Sequence, residues 1–161
     1  MTPTLPDWFS AAGNFILNYG MLDWDLFAFL EARMPSGQFS EIKNMHFQDR
    51  ITLVKRFVAD GHLSGEKKQA FEKFFGRLGP IRELRNHIAH GHLLVRVEEV
   101  GKPPVVTLSL PKNLDAPYAP ESRHLEFKEL TKALSELAEL IEEFKKLSGN
   151  WSDWKTIGGN P

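Results

Sequence analysis

The sequence predicts a mainly α-helical chain, an antiparallel four-helix bundle with a β-hairpin inserted before the last helix. Three observations carry this expectation. Apolar residues recur every three or four positions over several long stretches, the period of a helix with one buried face. Leu93 to Leu110 changes character and alternates apolar with polar side chains, the period of a strand. The resulting order of helix, helix, helix, hairpin, helix is the layout of a small bundle with a β insertion. With 161 residues, 42% apolar and 25% charged, the chain can bury one hydrophobic core. The expected domain covers residues 1–147, with the insertion at about 92–127, and a tail follows at 148–161.

The first helix is predicted from about Asp7 to Ala32. Trp8, Ala12, Phe15, Tyr19, Leu22, Leu26 and Phe29 form one stripe, and Phe9, Ile16, Phe27 and Leu30 widen it. A helix with so broad an apolar face touches two neighbours, one of which can belong to another subunit. Gly13 and Gly20 each cost roughly 1 kcal/mol against alanine, and close approach of another helix is the usual compensation. Ser40 opens a second helix that runs to about Asp60. Ser64 starts a third, with Phe71, Phe74, Phe75 and Leu78 on one side. Gly79-Pro80 is expected to kink or break it, because proline lacks the helix donor and crowds the preceding turn. A fresh segment would then carry Ile81 to His90.

Two strands, around Leu93–Val97 and Val106–Leu110, are expected to pair across Val100-Gly101-Lys102-Pro103-Pro104. Pro111 to Pro120 reads as loop, and Arg123 to Phe127 as a short third strand or a lead-in. From Phe127 to Leu147 the pattern is the cleanest of all, with Leu130, Leu134, Leu137, Leu140, Ile141 and Phe144 on one side. Glutamates and lysines on its other faces support it through i to i+4 pairs.

The totals exclude several classes of function. The formal net charge of -1 argues against binding nucleic acid by bulk electrostatics and leaves room only for a local basic patch. There is no cysteine, which removes disulfides and thiol catalysis. No apolar run approaches membrane-spanning length and no leader is recognisable, so a cytoplasmic protein without membrane partners is expected. No nucleotide-binding motif is present, and no cofactor is expected.

Chemistry concentrates in Arg82-Glu83-Leu84-Arg85-Asn86-His87-Ile88-Ala89-His90-Gly91-His92. Gly91 fits the residue that closes a helix in the left-handed conformation. His90 would sit at the helix C-terminus, where the dipole favours its protonated form. Arg85-Asn86 followed by His90, in a helical chain of this size, resembles the HEPN superfamily. The order of elements is similar too, since many such domains carry a hairpin between the motif helix and the final helix. The resemblance implies a metal-independent RNA endonuclease acting as a homodimer, with two motifs in one composite site, often as a toxin or antiviral component with an antitoxin partner. It equally implies many relatives that keep the fold, lose the chemistry and serve as binding partners or scaffolds.

The residues themselves are suited to such chemistry. Cleaving RNA without metal requires two proton transfers and stabilisation of a charged phosphorane. His90 is the candidate acid or base, Arg85 the phosphate clamp, and Asn86 lies four residues before His90 on one helix face. Arg85 and His90 are about 140° apart around a helix and roughly 7.5 Å along it, so a two-fold dimer is one way to bring Arg85 of one chain towards His90 of the other. Arg77 and Arg82, with His87 and His92 beside the motif, are the candidate substrate-binding residues. A structural reading of the same residues stands beside this one. In it His90-Gly91 is an ordinary helix end, Asn86 a buried link, and Arg85 a cover for apolar surface or partner of a last-helix glutamate. His87, His90 and His92, with Glu98 or His124, also suggest a metal site, but no His-Glu-x-x-His pattern supports it and no metal is assigned.

Overall fold

The computed structural model describes residues 3–34, 39–61, 63–90, 92–96, 105–111 and 120–149, without the side chains of Phe39, His90 and the strand residues. The chain is mainly helical, as the apolar periodicity predicts. Its helices are α1 (Leu5–Glu31), α2 (Phe39–Asn44), α3 (Phe47–Asp60), α4 (Gly65–His90) and α5 (Phe127–Ser148). Three short strands, β1 (His92–Arg96), β2 (Val105–Pro111) and β3 (Pro120–His124), lie between α4 and α5 in sequence. No helix among the described residues is long and apolar enough to cross a membrane.

Local chemistry sets the helix starts. The Thr4 hydroxyl accepts the Asp7 amide at 3.4 Å while the Asp7 carboxylate takes the Thr4 amide at 2.7 Å, a reciprocal cap on α1. The Thr4 hydroxyl and amide bonds hold the Asp7 carboxyl below its usual range. Ser64 Oγ accepts the Lys67 amide at 3.3 Å and caps α4. The Glu129 carboxylate reaches back 3.0 Å to the Glu126 amide at the start of α5.

Two sequence expectations are corrected. The helix predicted from Ser40 to Asp60 is broken at Met45-His46, where His46 is extended with φ -70° and ψ 156°. The Arg50 guanidinium takes the carbonyls of Ile42 (3.4 Å) and Lys43 (3.2 Å) at the end of α2, so the break leaves few carbonyls orphaned. Asp23 holds Arg50 in place with a salt bridge of 2.5 Å. The second correction concerns the break expected at Gly79-Pro80: α4 runs through Pro80 as one helix. Gly79, having no Cβ, relieves the clash that a prolyl ring imposes on the residue before it. Leu78 and Ile81 on either side are 3% and 2% exposed, so burial of both flanks offsets the lost hydrogen bond.

The strands form an antiparallel three-stranded sheet in the order β1-β2-β3 rather than a lone hairpin. Leu93 lies opposite Leu108 and Val95 opposite Val106, and on the other side of β2 Leu110 lies opposite Glu121. Pro111 and Pro120, expected in loop, are the paired ends of β2 and β3. The predicted connection at Val100–Pro104, Gly91 as the helix stop, and the tail from residue 150 lie outside the described residues.

Close contacts divide the chain into two compact units, Met1–Tyr19 with Gly79–Ala138 and Gly20–Leu78 with Glu139–Pro161. In the first, Trp8 meets Phe127 edge-on at 5.1 Å, and Phe15, Tyr19, Ile81, Leu84, Leu130 and Leu137 are buried. In the second, Phe144 is the hub, with ring centroids of Phe29 at 5.7 Å, Phe74 at 5.4 Å and Phe71 at 6.5 Å. Arg33 is buried there too. Its guanidinium lies 3.7 Å from the centre of the Phe29 ring and donates to the Phe29 carbonyl at 2.8 Å and the Ser148 carbonyl at 3.3 Å. Desolvation pulls the Arg33 guanidinium down to about 10.

Candidate functional site

The motif occupies the last turns of α4, as its spacing predicts. Leu84 faces inward at 5% exposure and fixes which side of the helix is outward. That leaves Arg85 and His87 half-buried and Asn86 exposed. The Arg85 guanidinium carbon lies 5.5 Å from the centre of the Tyr19 ring, itself 5% exposed. A buried aromatic face attracts a cation and limits the rotamers of its long stem. Arg85 Nη1 also donates to the neighbouring Asn86 Oδ1 at 3.3 Å. Tyr19 and Asn86 therefore orient a guanidinium that sequence alone leaves unplaced.

His87 Nδ1 lies 2.7 Å from the Glu83 carbonyl oxygen, one turn back. A carbonyl can only accept, so Nδ1 carries the proton in this bond and Nε2 is the basic nitrogen of the neutral ring. His90 is the last residue of α4 and His92 the first of β1, placing both backbones beside the motif. Their side chains, and Glu98, lie outside the described residues. Among the described residues no group of three His, Cys, Asp or Glu side chains is arranged to hold a metal ion.

The two arginines expected to bind substrate do not behave alike. Arg77 Nη1 and Nη2 reach Glu143 at 2.7 Å and Glu139 at 3.0 Å on α5. These carboxylates offset its charge, the role that a structural reading gave to Arg85. Arg82 is half-buried on α4. Beside the motif, a cleft of about 250 Å³ is lined by Pro80, Ile81, Glu83, Leu84, Glu129, Lys132, Ala133 and Glu136. Three carboxylates against one lysine give this cleft the wrong sign for a phosphate.

A larger cleft of about 440 Å³ is lined by Lys55, Val58, Ala59, Lys68, Glu72, Phe75 and Gly76. Lys55 Nζ lies 5.2 Å from the Phe75 ring centre, and Lys68 Nζ donates to the Ala59 carbonyl at 2.8 Å. Lys68 thus satisfies a carbonyl in the last turn of α3, a role that its place in the sequence does not announce. The signal was faint, a lysine just after the turn that follows Asp60-Gly61. Neither a family model, nor a curated protein, nor a solved structure matches this chain.

Proposed function

We propose that this chain is a HEPN-like, metal-independent RNA endonuclease of the cytoplasm, built on a four-helix bundle and acting as a homodimer in a toxin or defence setting. The observation that supports it most is the fixed Arg85 guanidinium, pinned between Tyr19 and Asn86 on the helix that ends at His90. In this reading a base takes the proton of the 2′-hydroxyl, and O2′ attacks the adjacent phosphorus. The bond from phosphorus to O5′ then breaks, and an acid protonates the departing oxygen. The products are a 2′,3′-cyclic phosphate and a 5′-hydroxyl. Arg85 stabilises the charge that builds on the phosphoryl oxygens. His90 supplies one proton transfer, Asn86 orients Arg85, and His87 offers Nε2 as a second proton-transferring group. Arg82 and His92 contribute to holding the RNA.

The acidic lining of the neighbouring cleft and the pairing of Arg77 with two glutamates favour a second reading, a non-catalytic interaction domain in which the motif stabilises the fold. Cleavage of mixed RNA in EDTA separates the two. Wild-type protein should leave 2′,3′-cyclic ends, and Arg85→Ala and His90→Ala should each lower the rate by about 100-fold or more. Folded variants that cut as fast as the wild type would assign the activity elsewhere. If Arg85→Ala loses its fold or association instead, the motif is structural.

A further inference from the structure

All the large apolar side chains strongly exposed among the described residues lie on α1: Leu5 at 40%, Phe9 at 58%, Leu17 at 69%, Met21 at 52% and Trp24 at 65%. They are not scattered. Counted at 100° per residue, Phe9, Leu17 and Trp24 fall along one side of the helix, opposite the buried line of Phe15, Leu22 and Leu26. Gly13 and Gly20 fall on the same exposed side. A Cβ at either would meet nothing within 4 Å, so the close neighbour that these glycines suggest is not supplied by the described chain.

The order along this side is self-complementary. Phe9 and Trp24 stand at equal distances from a midpoint between Ile16 and Leu17, and so do Gly13 and Gly20. Turning a second α1 antiparallel about that midpoint places Phe9 against the partner's Trp24, and Gly13 against the partner's Gly20. Leu17 then meets its own symmetry mate at the centre. This is the pattern of a two-fold contact, in which residue i meets j and j meets i. The glycines let the backbones approach while the aromatic ends cover each other. The acidic residues of α1 do not oppose this: Asp23 is taken by Arg50, Asp7 by the Thr4 cap, Asp25 has its Oδ2 buried, and Glu31 lies beyond the paired length. Phe9, Leu17 and Trp24 present on the order of 450 Å² per chain, so pairing would bury on the order of 900 Å² from these side chains alone, the size of a weak or transient interface before flanking residues add to it.

We infer that the outer face of α1 is a docking surface for a second copy of this chain, paired antiparallel about Ile16-Leu17. The surface follows from α1 alone and does not depend on whether the motif cleaves RNA. Sedimentation velocity over a concentration series tests it. The wild type should sediment at twice its 18.4 kDa chain mass, and Leu17→Arg should raise the dimer Kd by about 100-fold. Leu17 is so exposed that Leu17→Arg should keep the wild-type circular dichroism spectrum. Because the chain has no cysteine, Leu17→Cys adds a second readout. Oxidation should convert Leu17→Cys into a disulfide-linked dimer and leave Lys132→Cys monomeric under denaturing conditions. A wild type that stays monomeric throughout the series overturns the inference, as does a dimer whose Kd is unchanged by Leu17→Arg.

Discussion

Arg33, Arg50 and Lys68 perform one task in three places. Each brings a cation to the carbonyls at a helix end, Arg33 at Phe29 of α1, Arg50 at Ile42 and Lys43 of α2, and Lys68 at Ala59 of α3. Helix C-termini carry partial negative charge and unpaired acceptors, so a cation there satisfies both. Asp25 is the reverse case. Its Oδ2 is buried without a hydrogen bond. Burial raises its pKa, Glu142 adds to the rise and Lys145 opposes it. A carboxyl with a raised folded pKa binds its proton more tightly in the folded state. Ionised Asp25 therefore costs stability at neutral pH, and the cost is relieved as pH falls through the raised value. Asp25→Asn should accordingly raise the melting temperature at neutral pH. The gain should shrink on acidification and be gone below the ordinary 3.8, as thermal melts across that range would show.

At the scale of elements, Pro80 is the residue to change. Proline in a helix interior costs about 3 kcal/mol against alanine, and the freedom it removes from the unfolded chain returns about 0.4–1 kcal/mol. Pro80→Ala should raise the unfolding free energy by about 2 kcal/mol in urea titrations. The elements themselves were legible where a single period ran unbroken. The Leu130 to Phe144 stripe marks α5, and Trp8 to Leu30 marks α1. Local rules failed where the cause lies elsewhere in the chain. The break at Met45-His46 depends on Arg50 and, through it, on Asp23. Continuity through Pro80 depends on burial of both flanks. The candidate site divides in the same way. Arg85, Asn86 and His90 lie within six residues of sequence and were found as a motif, whereas Tyr19 beneath Arg85 lies on another helix and carried no local signal.

For the whole molecule, stability is concentrated in aromatic contacts rather than in surface charge. Phe144 is 1% exposed and meets three other rings, so Phe144→Ala should cost about 3–5 kcal/mol. Arg77 makes two ion pairs, yet it and Glu139 are 37% and 70% exposed. Arg77→Gln should therefore change stability by less than about 1 kcal/mol in the same urea titration. Pro80 also bears on how α4 moves. A helix one amide short in its middle has a lower cost of opening there than a fully bonded helix of the same length. Solvent exchange of backbone protons is thereby eased at an interior point, away from either terminus. The turns carrying Arg85 and His87 thus have a route to fluctuation that does not require α4 to fray from its ends.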